Sequence, residues 1–208
     1  MDNGKRNFDQ DAARWDLNPG RVKAAEEISR AILREIPWTP DLDVLDFGCG
    51  TGLITLALQP YVRSITGVDS SQGMLDILNR KISERNLTNV ITRYADLDQG
   101  DVLSGAFHLA VSSMTLHHIR DVAPLLKRFC HLLHPSGLLC IADLDEDGGR
   151  FHTSSEGVFH FGFDRQKLAR QFEEAGFQNV RAVQAASVEK PVAGTMQRFT
   201  VFLMIGRK

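Results

Sequence analysis

Residues Val44-Leu45-Asp46-Phe47-Gly48-Cys49-Gly50-Thr51-Gly52 set a short apolar run directly against a turn with three glycines, and residues 53–58 continue as an apolar helical stretch. A buried strand that feeds a glycine turn opening a helix leaves little choice of fold. The missing side chains at Gly48, Gly50 and Gly52 permit positive φ and let a ligand approach the backbone, while the helix start offers unpaired N–H groups to a negative ligand group. Asp69 comes 21 residues after Gly48, at the end of a second strand, where an acid accepts two hydrogen bonds from a ribose diol. Turn and acid together specify an adenosine-type ligand. Counting G-x-G-x-x-G from Gly48 puts Leu53 where a dinucleotide fingerprint needs its third glycine, which argues against the alternative of an NAD-dependent oxidoreductase.

Around that turn, β-branched runs alternate with amphipathic stretches, the pattern of βαβ units building a parallel sheet. Strands are expected at 44–47, 65–68, 90–93, 107–112 and 138–142, with a helix between the last two that Pro135-Ser136-Gly137 stops. Asp164 as N-cap, apolar Leu168, Phe172 and Ala175, and Gly176 beyond the end mark another helix. Residues 180–188 and 199–205 then suit a closing antiparallel hairpin, and 22–36 a helix near the start. The expected fold class is α/β, a Rossmann-like doubly wound sheet, mostly parallel, with a C-terminal antiparallel hairpin and an N-terminal helical cap. At 208 residues the chain fits one domain, with 1–37 as the cap. Residues 144–163 form an unusually long connection carrying Phe151, His152, Phe159, His160, Phe161 and Phe163, a density that suits a lid over a ligand.

The glycine spacing G-x-G-x-G, with Asp46 two residues before it, resembles motif I of class I S-adenosylmethionine-dependent methyltransferases. Gly67-Val68-Asp69-Ser70-Ser71-Gln72-Gly73-Met74-Leu75 resembles the ribose-binding segment of that family, Ala95-Asp96-Leu97 its adenine-contacting turn, and Leu116-His117-His118-Ile119 the fourth-strand segment of the ubiquinone/menaquinone-biosynthesis-type small-molecule subgroup. The resemblance implies S-adenosyl-L-methionine as cofactor and a small-molecule methyl acceptor. By position, Asp46, Gly48, Gly50 and Gly52 would border the methionine moiety, Asp69 and Ser70 the ribose, and Met74 the adenine or ribose. Asp96 and Leu97 would contact the adenine, Ser112 or Ser113 would line the cleft near the sulfonium, and Trp15, with Phe8, would lie in a cap over the cofactor. Two departures stand out: Ala95 replaces a glycine common in the family, and Ser112-Ser113-Met114-Thr115 replaces the Asn/Asp-Pro-Pro-Tyr of amino-group enzymes acting on adenine or glutamine.

His117 and His118 follow a strand at its carboxyl end, where open α/β sheets bind ligands, and are the candidate general bases. His152 and His160 in the lid are secondary candidates for touching substrate. With Asp143, Asp145 or Glu156 they match no metal-ligand spacing, and no metal is expected. A net charge of -2 argues against nucleic acid as partner, and no run reaches the roughly 18 apolar residues of a membrane span. Cys49, Cys130 and Cys140 match no disulfide framework, consistent with a cytoplasmic protein of free thiols. A homodimer is compatible with the sequence, as is a regulatory module that binds the cofactor without catalysis.

Overall fold

The computed structural model describes residues 7–208. The first six residues of the expected cap lie outside the described residues. Short helix α1 (Asp9–Ala12) and a 3-10 turn at Trp15–Leu17 lead into α2 (Pro19–Glu35). Asn18 caps α2, accepting from the N–H groups of Gly20 and Arg21, and Pro19 opens it where its missing N–H is harmless. This helix starts three residues before the periodicity predicts, because cap and proline define its start and apolar spacing does not.

Strands β1 (Asp43–Phe47), β2 (Ser64–Asp69), β3 (Val90–Tyr94), β4 (Phe107–Ser113) and β5 (Leu133–Leu144) alternate with α3 (Leu53–Leu58), α4 (Gln72–Glu84) and α5 (Val122–Leu132). After α6 (Arg165–Glu174), β6 (Gln178–Val192) and β7 (Thr195–Arg207) close the chain. They form one seven-stranded sheet in the order β3-β2-β1-β4-β5-β7-β6. The first five strands pair in parallel, and β7 runs antiparallel to both β5 and β6. The order reverses between β1 and β4, the place where open α/β sheets leave a crevice at their carboxyl ends.

Alternating side chains of the central strands serve two cores. Leu45, Phe47, Ala110, Ile141 and Phe202 face α5 and α6, joining Phe129, Leu168 and Phe172. Val44, Val111, Cys140, Ala142 and Leu203 join Ile28 and Ile32 of α2 and Ile54 and Leu58 of α3 on the other face. Near-continuous apolar strands buried on both faces are what a doubly wound sheet requires.

Two boundaries differ from expectation. Pro135-Ser136-Gly137 lies inside β5, not at the end of α5: the helix stops at Leu132, and Leu133 already pairs with Phe107 across a register shift. The closing hairpin is also longer than its apolar residues indicate, because its outer half, Ser187–Val192 against Thr195–Thr200, carries half-buried and polar side chains. That outer half supports residues 144–163. Their base is closed by a bridge between Asp145 and Phe163 and by Arg165 paired with both oxygens of Asp145 at 2.7 and 2.8 Å. Thr200 donates to the same carboxylate, and the Phe151 ring meets Phe199 edge-on at 5.4 Å. Among the described residues no helix is long and apolar enough to cross a membrane.

Candidate active site

The glycine turn is folded back on β2. The Val68 carbonyl accepts from the N–H groups of Gly48 and Cys49 at 2.8 and 3.1 Å. All three glycines have positive φ, +72°, +53° and +85° at Gly48, Gly50 and Gly52. A Cβ at Gly48 would strike Thr115 and one at Gly52 would strike Leu78, so packing as well as backbone conformation excludes side chains there. At Gly50 a Cβ would meet nothing within 4 Å. Gly50 is thus the open face of the turn.

Asp69 ends β2 beside it. Its Oδ2 accepts from the Gly50 N–H at 2.7 Å and its Oδ1 from the Ser71 N–H at 2.9 Å. Burial pushes this carboxyl above the usual range, opposed by the N–H groups of Gly50, Ser71 and Ser70. A carboxylate has roughly four lone-pair sites, so beyond the N–H groups of Gly50, Ser71 and Ser70 the Asp69 carboxylate keeps acceptor capacity for a hydroxyl donor. Asp46, almost fully buried at the end of β1, accepts from Thr55 Oγ1 at 2.5 Å. Burial raises its pKa to about 7, with the nearby Asp69 charge adding to the rise and the Thr55 hydrogen bonds opposing it.

The remaining sequence-predicted positions divide. Met74 is buried in the first turn of α4, whose N-cap is Ser71. Asp96 is buried and caps a 3-10 turn, its Oδ1 accepting from the Asp98 N–H and its Oδ2 from Gln99 Nε2, while Leu97, half-buried, starts that turn. Ser112 turns its hydroxyl back onto the Phe47 carbonyl at 2.9 Å, tying β4 to β1. Ser113 is half-buried at the end of β4, and Met114 follows in the left-handed region with φ +53°. That conformation is costly for a side chain and concentrates at functional turns.

The N-terminal segment is fixed over these loops by two acids. Asp16 Oδ1 accepts from Thr51 Oγ1 at 2.6 Å, and its Oδ2 accepts from Lys81 Nζ, which also donates to the Thr51 carbonyl. Asp9 Oδ1 accepts from Ser71 Oγ and the Gly73 N–H. Trp15 is half-buried, with the Arg21 guanidinium 3.9 Å over its ring and Phe8 edge-on to it. Phe8 also packs edge-on against the His118 ring at 5.1 Å, so one segment touches both ends of the crevice.

At the carboxyl ends of β4 and β5, three imidazoles cluster. His117, buried, places Nδ1 2.7 Å from Asp143 Oδ1, and its N–H donates to Asp143 Oδ2. Burial pushes the Asp143 carboxyl up, but the imidazole of His117 and the N–H groups of Leu144 and His117 outweigh it and hold the pKa below the usual range. His118 sets Nδ1 2.6 Å from the Gly157 carbonyl, and burial, with His117 beside it, lowers its pKa to about 4. The His117 ring lies 4.1 Å from that of His118 and 4.9 Å from that of His152. His160 instead bonds the Ile119 carbonyl and packs on Phe163. Among the described residues no group of three or more His, Cys, Asp or Glu is arranged to hold a metal.

Asp143, Asp9, Asp16 and Lys81 escape sequence reasoning as site residues. Asp143 left the one usable trace, an acid between the apolar run Leu138-Leu139-Cys140-Ile141-Ala142 and Leu144, which demands a partner once buried. The other three act across 30 to 65 residues of chain and leave no local pattern.

Known proteins share this architecture. A solved Haloferax volcanii putative methyltransferase, in complex with the Trm112 methyltransferase activator, superposes with a TM-score of 0.73 at 17% identity, covering 98% of each chain. Haemonchus contortus phosphoethanolamine N-methyltransferase 2, solved with S-adenosyl-L-methionine, gives 0.71 at 16% identity, covering 99% of this chain and 60% of that one. By sequence, the chain is 36% identical over 157 residues to an uncharacterized methyltransferase of Schizosaccharomyces pombe, covering 68% of this chain. It is 34% identical over 153 residues to trans-aconitate 2-methyltransferase of Deinococcus radiodurans, again 68% of this chain. These matches span 55% and 56% of the two relatives, little more than half their length. Residues 21–182 match the family model described as a methyltransferase domain, and they take in the glycine turn, the acid after β2 and the histidines after β4; the chain belongs to that family.

Proposed function

We propose that this chain binds S-adenosyl-L-methionine along the glycine turn and transfers its methyl group to a small-molecule acceptor seated beside His117. The observation that carries this reading is the Gly50–Asp69 pair: open backbone next to a carboxylate with acceptor positions to spare, which is what a ribose diol and its attached chain need. Asp46 and the three glycines then border the methionine part, Asp69 and Ser70 the ribose, and Met74, Asp96 and Leu97 the adenine side. Trp15 belongs to the cap, 1–37, and 144–163 is the lid of a single domain. With the Ser112 hydroxyl spent on Phe47, Ser113 is the serine left for the cleft.

The cofactor supplies a methyl group already activated on a sulfonium, so the protein's task is alignment. Holding the reacting atoms at about 3 to 3.5 Å contributes on the order of 7 to 11 kcal/mol. An acceptor that must lose a proton needs a base, and the two histidines are not equivalent. Both direct Nδ1 at an oxygen, which leaves Nε2 with the lone pair. Behind His118 stands a neutral carbonyl; behind His117 stands the Asp143 carboxylate, which stabilises the imidazolium formed on proton uptake. His117 is therefore the base and His118 a wall of the acceptor site.

The test is incubation with methyl-labelled cofactor and the small-metabolite fraction of a cell extract. Label is expected in a small molecule with the wild type and in none with Asp69→Ala. Wild-type protein that binds the cofactor yet labels nothing would leave only the binding module.

A further inference from the structure

A cavity of about 140 Å³ opens at the amino-terminal ends of the strands, the end of the sheet opposite the glycine turn. Ile36 and Leu109, both buried, and the half-buried Leu138 line its deep side, while His108, His134 and Arg207 line its mouth. The backbone is shaped around it. β4 and β5 change register between Phe107 and Leu109, which places His108 in the irregularity, and Ser136 takes a φ of +64° that a side chain rarely adopts. At Gly137 a Cβ would come within 2.9 Å of the His134 carbonyl oxygen and 3.1 Å of the His108 carbonyl oxygen, so glycine lets the two segments approach. Pro135-Ser136-Gly137, which does not end α5, thus has another effect: the rings of His108 and His134 stand 4.5 Å apart, tilted by 40°.

We propose that this cavity binds a small aromatic monocarboxylate, at a site separate from the methyl-transfer crevice and independent of how that crevice is read. The apolar side sets the body of the ligand: an apolar cavity of about 150 Å³ takes a single benzene ring, and this one is nearly that size. The mouth sets its charge. His108 Nδ1 accepts from the Asp43 N–H at 3.1 Å, so its proton sits on Nε2 and is available to an acceptor. The His134 ring has no hydrogen-bond partner among the described residues. Arg207 gives Nη1 to the Ser136 carbonyl at 3.1 Å and has no acidic partner among the described residues, which leaves the rest of its guanidinium for a carboxylate. Asp43, with Oδ2 3.6 Å from His108 Nδ1, does not fill that role, because Arg63 Nε and Ser64 Oγ bind its Oδ1 at 2.9 and 2.6 Å. Donors without an acid, over an apolar chamber one ring wide, select a ring that carries a carboxylate. Phosphate lacks the body, and a neutral arene lacks the charge.

The test titrates benzoate into the full chain and follows the imidazole nitrogen resonances of nitrogen-labelled histidine. Saturable shifts of His108 and His134 are expected at about millimolar benzoate or below, with His117 and His118 unmoved and with the same affinity when S-adenosylhomocysteine is present. Arg207→Leu is expected to weaken benzoate about tenfold or more, because a charge-assisted hydrogen bond is lost. Benzamide, which has the ring without the charge, and acetate, which has the charge without the ring, are each expected to bind about tenfold more weakly than benzoate. His134→Phe keeps a ring and removes both nitrogens; it is expected to weaken benzoate roughly threefold or more, and it decides the question if Arg207→Leu does not fold. Acetate binding as tightly as benzoate would reduce the mouth to a surface ion site and overturn the proposal. So would benzoate affinity that ignores both substitutions, shifts confined to His117 and His118, or no shift at about 10 mM benzoate.

Discussion

At the scale of single residues, the site is built from carboxylates whose burial and partners set them to different states. Asp46 is the clearest case, since it sits almost fully buried with, among the described residues, only Thr55 bonded to its side chain. Its folded pKa of about 7 lies above the unfolded value of 3.8. The folded state therefore keeps a proton that the unfolded chain has lost, and stability falls as the pH rises through that window. Asp46→Asn keeps the Thr55 hydrogen bond and removes the charge. It is expected to melt higher than wild type at about pH 8, by up to about 4 kcal/mol, with the gap closing toward about pH 4. At about pH 8, where Asp46 is ionised, the same substitution is expected to weaken cofactor binding, because the ammonium of the methionine moiety would lose its counter-charge; calorimetry beside thermal melts reads both effects. Sequence showed Asp46 and Asp69 through their spacing from the glycines. It gave no hint that Asp69 would clasp the Gly50 N–H, nor that Ser112 would spend its hydroxyl on Phe47, since both depend on which strands become neighbours.

At the scale of elements, apolar periodicity and turn chemistry revealed every strand and the helices α2, α3, α5 and α6, because those signals are local. Ends were less legible wherever a cap or a pairing partner decided them, as at Pro19 of α2 and Leu133 of β5. The N-terminal segment was expected to be a cap only through resemblance, and its fixing points, Asp9 and Asp16, emerge from the fold. Asp16 joins the 3-10 turn at Trp15–Leu17 both to the glycine turn through Thr51 and to α4 through Lys81. Asp16→Ala is expected to cost about 1 kcal/mol of stability, the ion pair being partly exposed, and to weaken the cofactor roughly fivefold by loosening the segment above it. Equal cofactor affinity in the variant and the wild type, measured by titration, would remove this segment from the binding site.

At the scale of the whole molecule, the strand order places every candidate at one edge of the sheet. The reversal between β1 and β4 opens the crevice, β2 brings Asp69 to the glycine turn, and β4 and β5 bring His117 to Asp143. The long hairpin extends beyond its pairing with β5 and supports residues 144–163, which carry His152 to His117. The central claim, that this edge is a berth for S-adenosyl-L-methionine, is tested most directly by calorimetric titration of S-adenosylhomocysteine into the wild type and into Asp69→Ala. The account predicts one-site binding that Asp69→Ala weakens by about a hundredfold, roughly 2.7 kcal/mol, with the fold intact. Absence of heat at about 1 mM ligand, or equal affinity in the two proteins, would contradict it.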